Sequence, residues 1–227
     1  MNQHFSSSQI VYEDNHLLVI NKKAGQLVQS DKTGDESLLE SIKNFIKIRD
    51  KKPGNVFLGL VHRIDRPTSG LVIYAKTSKA LSRLTQMLKV REINKIYWAI
   101  VPKEMISQSQ RLVHFLKKNE KNNKAIVFPK PTDGAKEAIL TYNIIQIFDN
   151  YQLLEINLET GRHHQIRAQL SKIGIPIKGD LKYGAPRSNP DGGISLHARK
   201  LEFIHPVTKE KLEITAEIPE NEIMRQK

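Results

Sequence analysis

The chain predicts an α+β fold: a mixed, mainly antiparallel central sheet with flanking helices. Three features carry that expectation. Alternating apolar and polar residues recur in most segments, several such segments are joined by Asp-Asn or Asn-Asn turns as hairpins, and only three stretches show helical spacing. There is no regular strand–helix alternation, which argues against a doubly wound parallel sheet.

In chain order, "QIVYEDNHLLVINKKAGQLV" reads as two short strands around Asp14-Asn15, followed by a glycine loop at Gly25. "DESLLESIKNFIKIRDKK" places Leu38, Leu39, Ile42, Phe45 and Ile46 on one helical stripe that Pro53-Gly54 closes off. "LVIYAK" is a strand. "TSKALSRLTQMLKVRE" is a helix capped by Thr77 or Ser78, with Leu81, Leu84, Met87 and Leu88 inward. "NKIYWAIV" is again a strand, and residues 108–130 form an exposed basic hairpin around "KNNK". "KEAILTYNIIQIFDNYQLLEINLET" makes a long hairpin about Asp149-Asn150. "RHHQIRAQLSKIG" is a short helix ended by Gly174, and strands return at 194–204 and 211–218.

Hydrophobic residues make up 39% of the 227 and charged residues 26%, the balance of a chain with a packed core. One compact domain over 1–227 is expected, with its core at about 10–219. The net charge is +12, and it is unevenly spread. Between Lys76 and Lys136 fourteen lysines and arginines face four acids (Glu92, Glu104, Glu120 and Asp133), so this window holds ten of the twelve excess positive charges. That asymmetry suits a polyanionic partner, nucleic acid first and an anionic membrane second. A lysine-rich surface kept for solubility would look similar. There is no cysteine, which excludes disulfides, zinc knuckles and thiol nucleophiles. With no signal-peptide pattern and no apolar run near the roughly 18 residues of a membrane span, a soluble cytoplasmic protein is expected.

Walker, G-x-G-x-x-G, G-x-S-x-G and H-E-x-x-H motifs are absent. His62, His163, His164 and His197 lack helical spacing to an acid, so no metal is expected. "VHRIDRPTSGLVIYAKT" is richer. It sets Asp65 between Arg63 and Arg66, just ahead of a Pro-Thr-Ser-Gly turn. A carboxylate becomes a useful nucleophile when partly desolvated yet kept ionised by a cation. A strand end tied down by salt bridges would carry the same residues. "NKIYWAIV" adds Lys95 and Tyr97 on one face of a strand. "LETGRHHQIRAQL" adds Arg162, Gln165 and Arg167, with Gly161 ahead of a helix start where amides can approach an anion. Tyr97 as core packing and the arginines as surface cations are the plain alternatives.

Together "HRIDRPTSGL", "NKIYWAIV" and "TGRHHQIRAQL" resemble the three signatures of the RluA-type RNA pseudouridine synthases. "YEDNHLLVINKKAGQLV" and "LHARKLEFIHP" resemble that family in the same order, so the likeness runs from Tyr12 to about Ile218. It implies the pseudouridine synthase fold with a catalytic cleft, and isomerisation of uridine in tRNA or rRNA to pseudouridine without metal or cofactor. By the same resemblance Asp65 is the nucleophile. Tyr97 stacks on the target base and assists proton removal, and Arg167 pairs with the catalytic carboxylate. Arg63 fills the gap left by the flipped base, and His62, Arg66, Lys95, Arg162 and Gln165 complete the RNA-binding set.

Three departures from the family pattern stand out: Ile64 for leucine, Lys23 for proline and Gln169 for histidine. The residues ahead of Tyr12 are too few for an S4-type RNA-binding domain, so recognition is expected from the catalytic domain itself, including the 108–130 hairpin. Family precedent and the lack of an obvious oligomerisation segment point to a monomer. Two other readings are an RNA-binding or ribosome-assembly factor of the same fold that modifies nothing, and an aspartyl hydrolase. Retention of Asp65, Tyr97 and Arg167 argues against the first; the absence of a metal site or phosphate-cradling loop argues against the second.

Overall fold

The computed structural model describes residues 5–30, 34–219 and 223–225. Along the chain these form strands β1 (Ile10–Glu13) and β2 (Leu17–Lys22), helix α1 (Leu38–Arg49), strands β3 (Gly59–Leu60) and β4 (Ser69–Ala75), and helix α2 (Ser78–Lys89). Then follow β5 (Asn94–Pro102), β6 (Ser109–Asn119), β7 (Lys124–Phe128), β8 (Lys136–Ile147) and β9 (Tyr151–Leu158). Helix α3 (Gln165–Lys172) precedes β10 (Leu196–Ile204) and β11 (Lys211–Thr215). The class is α+β, as expected from the sequence.

Two compact units divide the chain: Met1–Ile93 with Ala198–Pro219, and Asn94–His197 with Glu220–Lys227. In the first, β1 pairs antiparallel with β2, β2 with β4, and β3 with β4, while β10 carries β11. Both β2 and β4 are buried along nearly their whole length, which is why they read as continuous apolar runs rather than alternating ones. Leu17, Val19, Leu71 and Ile73 pack with Leu201, Phe203 and Ile214, and with Ala80 and Leu84 of α2. Leu81, Met87 and Leu88 pack against the same cluster at its margin. α2 starts where the sequence puts a cap: the Thr77 hydroxyl accepts from the Ala80 amide at 3.2 Å. α1 is capped likewise by Ser37 and buries Leu38, Ile42 and Ile46, the inner line of its expected stripe. At Gly70 (φ +110°) a Cβ would run into the Ala198 backbone, so only glycine lets β4 and β10 approach so closely.

In the second unit β5, β9, β8, β6 and β7 pair in that order, every pair antiparallel. The registers put Tyr97, Ile156, Tyr142, Leu140, Leu112 and Leu116 on one face. α3 packs there, with its Ala168 against Leu116, Ala125 and Ala138. α3 begins at Gln165 rather than at Arg162, because His164 ahead of it takes a left-handed conformation (φ 52°) that a helix cannot include.

Candidate active site

Asp65 lies on the loop between β3 and β4, partly buried. Five contacts fix that loop. His62 Nε2 accepts the Ile73 amide at 3.3 Å, so on the face it turns to β4 the ring carries no proton. The Thr68 amide donates to the Asp65 carbonyl at 3.0 Å, closing a turn with Arg66 and Pro67 at its corners. The Arg66 carbonyl accepts the Gly25 amide at 2.8 Å, and Arg66 Nε returns a bond to the Gly25 carbonyl at 3.0 Å. The Arg66 guanidinium also meets Asp35 at 2.8 Å, and both Arg66 and Arg63 are exposed. The glycine loop after β2 is therefore clamped onto the residue that follows Asp65.

At the centre of this clamp is Lys22, a fully buried lysine that sequence reasoning did not single out. Its three ammonium donors meet three backbone carbonyls: Lys23 at 3.0 Å, Gln26 at 2.9 Å and Arg66 at 3.0 Å. Burial pushes its pKa down to about 7; the Asp65 charge opposes that shift and the Arg66 charge adds to it. The ordinary value is 10.5. Between the two the unfolded chain therefore binds a proton that the folded chain has shed, and stability rises with pH across that window. Denaturant midpoints taken from pH 6 to pH 10 are expected to climb more in the native chain than in Lys22→Met. Parallel curves would remove Lys22 as the titrating group.

In the second unit Tyr97 is 7% exposed, on the α3-covered face of the sheet, and Lys95 shares its strand face, partly buried. Arg167 is buried on α3 with a carboxylate from its own unit. Nε and Nη2 meet Asp180 Oδ2 and Oδ1 at 2.7 and 2.9 Å, a bidentate pair. Gln165, expected among the RNA contacts, is buried with its amide engaged on both sides. Oε1 accepts the Thr160 hydroxyl and the Arg162 amide, and Nε2 donates to the Ile139 carbonyl. It shapes the Thr-Gly turn ahead of α3. Arg162 Nε reaches the Glu137 carbonyl at 2.8 Å. Gly161 has no left-handed backbone and has open space where a Cβ would stand.

Tyr183, which no motif flagged, ties α3 to the basic hairpin. Its hydroxyl accepts the Ala125 amide of β7 at 2.7 Å and lies 2.9 Å from His164 Nδ1. The hydroxyl keeps a proton to give, and which partner donates between it and His164 Nδ1 follows the imidazole tautomer. Burial holds His164 neutral, its pKa pushed down to about 2, with the charge of Arg167 acting in the same direction. The Arg167 guanidinium sits 5.1 Å from the Tyr183 ring centre. Tyr183→Phe keeps the ring but leaves Nδ1 and the amide without that partner, an expected loss of about 1–3 kcal/mol. Faster hydrogen exchange at the Ala125 amide is the local readout, and an unchanged rate there would refute the assignment.

Among the described residues no group of three or more His, Cys, Asp or Glu side chains is placed to hold a metal ion. No helix among them is long and apolar enough to cross a membrane.

The α+β architecture is that of RNA pseudouridylate synthase folds: Human RNA Pseudouridylate Synthase Domain Containing 4 superposes with a TM-score of 0.78 at 23% identity, over 94% of this chain and 90% of that one. In sequence, a profile described as RNA pseudouridylate synthase matches residues 16–172. Ribosomal large subunit pseudouridine synthase D of Xylella fastidiosa is 33% identical over 226 residues, covering 93% of this chain and 66% of that protein. Ribosomal large subunit pseudouridine synthase C of Buchnera aphidicola is 35% identical over 221 residues, covering 92% and 67%. The chain belongs to the RNA pseudouridylate synthase family. It spans about two thirds of the length of these curated relatives.

Proposed function

We propose that this chain isomerises uridine in RNA to pseudouridine. The C1′–N1 glycosidic bond of a flipped uridine breaks, the uracil turns, and C1′ rejoins it through C5; the C5 proton is lost and N1 gains one. Asp65 is the nucleophile, attacking either the anomeric carbon or the uracil ring. Tyr97 stacks on the base and assists removal of the C5 proton, and Arg167 keeps the catalytic carboxylate ionised. Its planar fork suits that task in a way that a lysine would not. Arg63 fills the gap in the RNA stack; His62, Arg66, Lys95 and Arg162 contact the RNA, with Gln165 shaping the turn that presents Arg162. Extruding the base costs roughly a few kcal/mol, which phosphate contacts and stacking offset.

The observation that carries this reading is the clamp around Asp65. A carboxylate is held on a rigid loop, next to a buried ammonium, in a chain of this family. The relatives are named as ribosomal large subunit enzymes, which favours rRNA over tRNA as the substrate. The chain works as a single catalytic domain, a monomer in the cytoplasm, with no metal or cofactor.

Purified protein incubated with cellular RNA lacking the modification, followed by mapping of pseudouridine, tests the proposal. Site-specific product supports it. RNA binding without product would leave an assembly factor of the same fold.

A further inference from the structure

Lys23 stands where the family pattern has proline, and its side chain is exposed. Its backbone amide, which a proline would lack, is in use: it donates to the side-chain oxygen Oε1 of Gln26 at 2.9 Å. Gln26 is 4% exposed, and so is Gln9, which ends the short 3-10 turn Ser7–Gln9 ahead of β1. The two side-chain amides pair reciprocally. Gln9 Nε2 donates to Gln26 Oε1 at 2.8 Å, and Gln26 Nε2 to Gln9 Oε1 at 3.2 Å. Gln9 is anchored in turn: Nε2 also donates to the Asn21 carbonyl at 3.0 Å, and Oε1 accepts the Ser6 amide at 3.1 Å.

The loop that this pair closes is the one that holds the Asp65 turn. Arg66 is bound from it three times over: its carbonyl accepts the Gly25 amide and the Lys22 ammonium, and its Nε donates to the Gly25 carbonyl. The other two Lys22 bonds go to the Lys23 and Gln26 carbonyls, at either end of the loop. Gly25 (φ +88°) lets the chain turn there but adds no stiffness of its own. Stiffness has to come from residues 23 and 26.

We infer that Gln26 is a positioning residue for the reaction: with Gln9 it fixes the Lys23–Gln26 loop, and through that loop the Asp65 turn, in place of the fixed φ that a proline would give. The two solutions exclude each other. A proline at 23 would set its ring Cδ where the N–H now points at Gln26 Oε1, so ring and amide compete for one space. The inference rests on the pseudouridine synthase reading, because Asp65 has to be the reacting group for its placement to matter.

Pseudouridine formation on cellular RNA lacking the modification, followed as a function of RNA concentration, tests it together with hydrogen exchange at the Gly25 amide. Gln26→Met keeps the length of the side chain and leaves Gln9 its Asn21 and Ser6 partners, but takes the acceptor from the Lys23 amide. It is expected to lower kcat by about 10–100-fold, the upper figure being the scale of a misplacement by about 1 Å. KM should stay the same, since the side chain is buried. Exchange at the Gly25 amide should quicken by about 10-fold, the scale of a lost buried hydrogen bond. Lys23→Pro should show the same losses, whereas Lys23→Ala, which keeps the N–H, should turn over at the native rate. The double variant Lys23→Pro/Gln26→Met has no N–H left without an acceptor and has room for the ring. Its kcat and its Gly25 exchange should return most of the way to native. If Gln26→Met does not fold, Gln9→Met keeps the Lys23 bond, removes only the anchor and should give a smaller loss in kcat at native KM.

Native kcat in Gln26→Met, unchanged exchange at Gly25, or a double variant no better than the singles would each overturn the inference. A lowered melting temperature with native kcat would do so too, since Gln26 would then serve the fold alone. Absence of product from the unaltered protein would instead remove the enzymatic reading, and the positioning role with it.

Discussion

Replacing Asp65 by asparagine is expected to abolish pseudouridine formation while leaving RNA affinity within several-fold. The amide matches the carboxylate in shape but has no anionic oxygen to form a covalent bond, and losing a nucleophile costs about 10⁴-fold or more in rate. The loop should survive, because its contacts run through the Arg66 and Gly25 backbones, His62 and Lys22 rather than through this carboxylate alone. Circular dichroism and a thermal melt separate lost chemistry from a lost fold. A further consequence is electrostatic. Asp65 favours the charged form of Lys22, so Asp65→Asn should move the Lys22 transition to still lower pH. Residual turnover near the native rate would end the case for a nucleophilic Asp65. Joint loss of activity and fold would instead mean that Asp65 is a structural salt-bridge partner.

The second large effect concerns stability. In the Arg167–Asp180 pair the side chains are 5% and 1% exposed, so neither charge has water to fall back on. Asp180→Ala takes the bidentate carboxylate from a buried guanidinium, and the expected loss is about 3–5 kcal/mol, read from urea unfolding. Replacing both charges with apolar residues of similar size, Arg167→Met with Asp180→Leu, should recover much of that loss, because the two buried charges leave together. The two single variants and the double close a cycle whose interaction energy reports the pair directly. A single-variant cost below about 1 kcal/mol would be the scale of an exposed pair and would show that Arg167 takes its support elsewhere.

Local signals predicted local structure well. Thr77 is the cap of α2, the Asp149-Asn150 turn joins β8 to β9, and "KNNK" turns the basic hairpin. Each depends on residues a few positions apart. The start of α3 differed because the left-handed His164 is held from a distance, by Tyr183 nineteen residues on. Lys22 lies in the "NKKAG" segment beside Lys23, the residue that departs from the family pattern. Nothing local says that one of two adjacent lysines is wholly buried. The one hint is position: Lys22 ends a strand buried on both faces, two residues after Ile20, whereas Lys23 lies beyond the strand and is exposed. Asp180 and Tyr183 lay outside every quoted motif, and a lone "GDLKY" carries no pattern to mark one acid as the partner of a buried arginine. Gln165 shows the reverse error: a polar residue beside arginines looks like a binding group until its amide is found engaged inside the fold.

By itself the sequence determined the fold class, the order of most elements, the family, and Asp65 as the residue to test. Those follow from short-range periodicity, turn chemistry and five ordered motifs. Only the tertiary structure decided that a buried lysine locks the Asp65 loop and that Asp180 holds Arg167. The reason is physical: burial, and the pairing of charges that burial forces, arise between residues far apart in the chain, where sequence spacing carries no distance.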